Sequence, residues 1–91
     1  MEKQRRPNAF EDELHVRTVK SYRDAGQTKQ LMEYFYEMLD KYPDDMVASA
    51  TSSKEAKAKS IVSTIEYFTQ MEEYEKCSRL KELMEKLERE G

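Results

Sequence analysis

The sequence predicts an all-α protein: a small bundle of three to four helices with a C-terminal antiparallel helical hairpin, or one long C-terminal helix in the hairpin's place. Three observations predict it. Apolar residues recur at spacings of three and four almost throughout, and apolar–polar alternation never persists. Gly and Pro occur only twice each, at Gly26, Gly91, Pro7 and Pro43, and they mostly punctuate the periodic segments. Charged residues make up 38% of the chain, well above the roughly 25% of an ordinary globular domain, which suits helices that face water along most of their length.

The first helix is expected within "PNAFEDELHVRTVKSYRDAG". Asn8 is placed to cap it, with Glu11 three residues on in a capping-box arrangement. Glu11, Asp12 and Glu13 favour the positive end of the helix dipole. Phe10, Leu14, Val16, Val19 and Tyr22 give a loose apolar side, and Gly26 suits the left-handed position beyond the end. Residues 1–8 are expected to form a basic, mobile arm and residues 9–91 a single helical domain.

A second helix is predicted by "QTKQLMEYFYEMLDKYP". Leu31, Phe35, Met38, Leu39 and Tyr42 share a stripe that Met32 and Tyr36 widen. Pro43 disfavours a helical Tyr42 and ends the helix there. "PDDMVASATSS" is a connector in which Met46 and Val47 pack down as a short turn. A third helix starts near Ser52, with Glu55 three positions later, and presents Ile61, Ile65 and Phe68 on one side. The fourth presents Tyr74, Cys77, Leu80, Met84 and Leu87, broadened by Leu83. Glu75–Arg79, Glu82–Lys86 and Glu85–Arg89 are i, i+4 pairs worth about 0.2–0.5 kcal/mol each. Nothing in the residue types separates the last two helices, so one continuous helix is the alternative.

The last of these segments resembles the UVR motif, the helical hairpin first recognised in the bacterial excision-repair proteins UvrB and UvrC, which reads approximately F-E-x-A-A-x-L-R-D-x-I-x-x-L. Tyr74 stands at the aromatic position and Glu75 at the acid. Cys77 and Ser78 stand at the small pair, Lys81 and Glu82 at Arg-Asp, and Leu80, Met84 and Leu87 at the aliphatic positions. Ile61, Ile65 and Phe68 supply the preceding helix, so the likeness spans residues 61–87. It implies a protein–protein contact module and does not imply DNA repair.

Composition narrows the function further. A 91-residue chain has a thin core, and oligomerisation is a common remedy. The net charge of −3 argues against phosphate attraction as the main mode of binding. One Cys and one His exclude a disulfide framework and an ordinary zinc site. Cys77 reads as a small packing residue and His15 as a partly exposed helix residue. Glu33, Glu37 and Asp40 share one face, but no Glu-x-x-His partner completes a di-metal set. With no Gly-rich phosphate loop and no triad, neither an enzyme nor a cofactor is expected. No apolar run approaches the roughly 20 residues of a membrane span. The start carries no secretory signal, so the expected compartment is the cytoplasm, or the host's if a phage encodes the chain.

The expected function is therefore a small helical adaptor or inhibitor that binds a larger protein and self-associates into a homo-oligomer. Its candidate contact residues are Tyr34, Tyr36, Glu37, Met38 and Asp40 on the second helix and Tyr74, Leu80 and Met84 on the hairpin. Tyrosine is rich at interfaces. The alternative is a nucleic-acid or nucleotide binder that uses Arg5, Arg6, Arg17, Lys20 and Lys57 on phosphate.

Overall fold

A computed structural model describes residues 7–50 and 52–90, which form five helices and no strand. They are α1 (Glu13–Asp24), α2 (Thr28–Lys41), α3 (Pro43–Ala48), α4 (Lys54–Gln70) and α5 (Tyr74–Glu90). The chain is all-α, as expected, and the C-terminal half is a hairpin of two separate helices.

The α4–α5 hairpin is the centre of the molecule. Ile61, Thr64 and Phe68 of α4 are buried against Cys77, Leu80, Leu83 and Leu87 of α5. Leu39 of α2 and Met46 of α3 complete the core from the other side. Each large apolar side chain buried in this way contributes about 1.5–3 kcal/mol. Thr64 stays satisfied inside because its hydroxyl donates to the Ser60 carbonyl at 2.8 Å. The Cys77 thiol lies 3.5 Å from the Ile65 carbonyl and 3.3 Å from the Thr69 hydroxyl, so this small side chain also ties the two arms together.

The α1–α2 and α4–α5 turns are Schellman motifs. After α1, Gly26 takes φ +70°, its amide donates to the Arg23 carbonyl, and the Gln27 amide donates to that of Tyr22. After α4 the same pattern forms without glycine. Glu72 takes φ 61°, its amide donates to Thr69, and that of Glu73 donates to Phe68. This turn divides the C-terminal helices, and no residue of the usual left-handed type announces it.

Pro43 ends α2 as expected but also opens α3 at its first position, where a missing N–H costs nothing. Met46, expected in a turn, is buried on this short helix.

Three local expectations are corrected. α1 begins at Glu13, capped by Asp12, whose carboxylate accepts from the Leu14 amide at 3.4 Å. Asn8 instead caps a preceding turn: its side-chain oxygen accepts from the Phe10 amide, and its amide nitrogen donates to the Asp45 carbonyl of α3. Asn8 therefore belongs to the folded domain rather than to a mobile arm, and residues 1–6 lie outside the described residues. α4 is capped by Ser53, one residue later than expected, its hydroxyl accepting from the Ala56 amide. On α5, Arg79 and Lys86 do not pair with Glu75 and Glu82 but reach acids of α2 and α3, and Lys86 also pairs forward along its own helix. Arg79 binds Asp40 at 2.6 Å, and Lys86 binds Asp44 at 2.9 Å as well as Glu90 at 3.0 Å.

Candidate functional site

Helix α1 decides where an open surface lies. Leu14 and Val16 are two positions apart, about 200° around a helix, so they cannot share a face. The helix accordingly has no single apolar stripe, and none of its residues is buried. Leu14 is 68% and Val16 53% exposed. α1 packs on α2 alone and leaves α4 uncovered along one side.

What holds α1 to α2 is an aromatic clip. His15 Nδ1 lies 2.8 Å from the Tyr34 hydroxyl, and the two rings stack with centroids 5.5 Å apart. Phe10 meets the imidazole edge-on at 5.1 Å, and Tyr22 lies 6.2 Å from Tyr34. Burial lowers the His15 pKa, partly opposed by the nearby Asp12 carboxylate, and raises that of Tyr34. Both shifts favour a neutral imidazole beside a protonated phenol, and the tautomer of His15 sets which of the two donates.

Between α1 and α4 this arrangement leaves a groove of about 530 Å³. Val16 and Val19 of α1 and Phe35 of α2 give it partly exposed apolar walls, and the buried core residues Leu39, Met46 and Ile61 lie at its base. Lys20 and Arg23 stand on the α1 lip and Lys57 on the α4 lip. Lys57 also donates to the Val47 carbonyl at 2.9 Å, satisfying an acceptor left over at the end of α3.

The expected contact residues are distributed differently. Tyr34, Tyr36, Glu37, Met38 and Asp40 do border one depression of about 480 Å³ on α2. The two tyrosines, however, turn inward to opposite flanks. Tyr34 closes on His15, while Tyr36 packs edge-on against Phe68 at 5.7 Å beneath the Lys76 ammonium. Glu37 and Asp40 are exposed, Asp40 in its ion pair with Arg79. On the hairpin, Leu80 is 2% exposed and so serves the core, which corrects its assignment to a partner surface. Met84 is half-buried against that core. Tyr74 stands 62% exposed at the start of α5.

Of the basic set, Lys20 and Lys57 meet across the groove. Arg17 pairs with Glu13 at 3.2 Å outside the lining, and Arg5 and Arg6 lie outside the described residues. Sequence reasoning missed the groove itself. The one available signal was the angular scatter of the α1 valines and leucine.

Among the described residues no group of three or more His, Cys, Asp or Glu is placed to hold a metal ion, and no helix is long and apolar enough to cross a membrane. No family model, curated protein or solved structure matches the chain.

Proposed function

We propose that the protein is a small helical protein–protein interaction module, an adaptor or inhibitor of a larger protein, which receives an amphipathic helix in the α1–α4 groove. The observation that carries this reading is a groove walled by the partly exposed Val16, Val19 and Phe35, left because α1 rests only on α2. From Val16 to Arg23 the α1 lip runs for about 10 Å, the length of two helical turns. That suits helix-in-groove recognition by two or three apolar anchors. Such anchors gain about 1.5–3 kcal/mol each, against an association cost of about 4–15 kcal/mol, so the contact is transient rather than obligate. The UVR-like character of residues 61–87 supports the same class of function, although the apolar face of that hairpin meets the chain's own α2 and α3. Leu14 and Val62, with Met71 and Tyr74 at the α4–α5 turn, are exposed apolar residues outside the groove available for self-association.

The nucleic-acid reading draws on Lys20, Arg23 and Lys57 at one groove, but the apolar walls of Val16, Val19 and Phe35 do not match a phosphate backbone. Capture from the native host's lysate tests the docking reading. Val16→Glu/Val19→Glu changes two unburied positions, so it should keep the helical circular dichroism and lose proteins that the wild type retains. A double variant that retains the same proteins would remove the groove from consideration.

A further inference from the structure

We propose that the occupant of the groove is an acidic amphipathic helix, apolar on one side and carrying Asp or Glu on both flanks of that side. This rests on the docking reading above and adds the sign of the partner's charge. The protein carries a net charge of −3, yet the groove reverses that sign locally. Lys20 and Arg23 occupy one lip and Lys57 the other, while Asp24 is the sole acid of the lining. Asp24 pairs with Lys20 at 3.2 Å, so Arg23 is the uncompensated cation of the α1 lip and Lys57 that of the α4 lip. Arg23 has no ion-pair partner among the described residues. Lys57 uses one of its three donors on the Val47 carbonyl, which leaves two for a ligand. Glu11, towards the α3 end, accepts from the Ala50 amide at 2.7 Å.

The placement of these cations gives more than a net attraction. With cations on both lips, a helix seated in the groove can be met on both flanks of its apolar stripe. A helix with the same stripe and lysines at the flanks would place like charges together on both sides. The groove therefore discriminates by repulsion as well as attraction. Glu37 and Asp40, exposed on α2, lie outside this groove and border the second depression, which an acidic helix fits less well.

The test uses the full chain, isotopically labelled for amide NMR, and two synthetic helical peptides with one Leu-rich face in common. One peptide carries Glu at the flanking positions and the other Lys. The Glu peptide should shift the amides of Val16, Val19, Lys57 and Ile61 and bind about tenfold tighter than the Lys peptide at low salt. Lys20→Glu/Arg23→Glu, at two exposed positions, should reverse that preference. Equal binding of both peptides at those amides would overturn the acidic partner and leave the docking reading standing. No shift at those amides with either peptide would overturn both. Shifts there with rising protein concentration alone would assign the groove to a second copy, and shifts with a single-stranded oligonucleotide would assign it to nucleic acid. Either result overturns the proposal.

Discussion

His15 is the residue through which α1 is tied most closely to α2. Its ring is packed by Phe10, Tyr34 and Phe35, and Asp12 is the charge among the described residues that acts on its titration. Burial disfavours the imidazolium, so the folded chain binds this proton less tightly than the unfolded chain, whose usual value is 6.5. The stabilisation is complete above that value. It falls as pH drops through 6.5 towards the lower folded value, because the unfolded state then takes up more protons. The hydrogen bond itself survives protonation, since Nδ1–H then donates to the Tyr34 oxygen; only desolvation opposes the charge. Urea midpoints measured at pH 7.5 and 5.5 should fall for the wild type and change less for His15→Gln. A wild-type midpoint that does not move between these values would refute the burial of the ring. None of this was legible beforehand, because Tyr34 lies off the main stripe of α2 and its direction depends on where α1 comes to rest.

At the scale of elements, the two Schellman turns make a controlled pair. Gly26 and Glu72 occupy the same left-handed position, and open space surrounds Gly26 where a side-chain carbon would sit. Gly26→Ala should therefore cost about 1 kcal/mol from conformation alone, whereas Glu72→Gly should relieve a similar strain and gain about 0.5–1 kcal/mol. Chemical denaturation of the two variants checks both signs. The pair also explains why one turn was legible in the sequence and the other was not. Gly26 and Pro43 bracket α2, because their backbone preferences are written in their chemistry. Glu72 is an ordinary helix former, and the chain turns there because Phe68, Leu80 and Leu87 gain more from packing in a folded-back hairpin than from a continuous helix. The apolar stripes of α4 and α5 were readable as stripes, but whether Leu80 faced its own chain or another was a tertiary matter.

For the whole molecule, the core is concentrated in one half. α4 and α5 supply seven of the buried residues and α1 none. Stability should grade accordingly: amide hydrogens of α1 should exchange through local opening, those around Leu80 and Leu83 only through global unfolding. Hydrogen exchange that is equally slow in both places would show that α1 is held by more than its aromatic clip. The groove follows from the same unevenness. Each lip is a short piece of helix with unremarkable residues, and only the angle at which α1 leaves α4 bare makes them neighbours. The corner between α2 and α3 is the opposite case. Tyr42 closes one helix and opens the next, so no spare backbone separates them. One inserted residue would rotate α3 by about 100° and swing Met46 off Leu39's side of the bundle. Length variation among descendants of this chain should therefore avoid that joint, even where side-chain identity drifts freely.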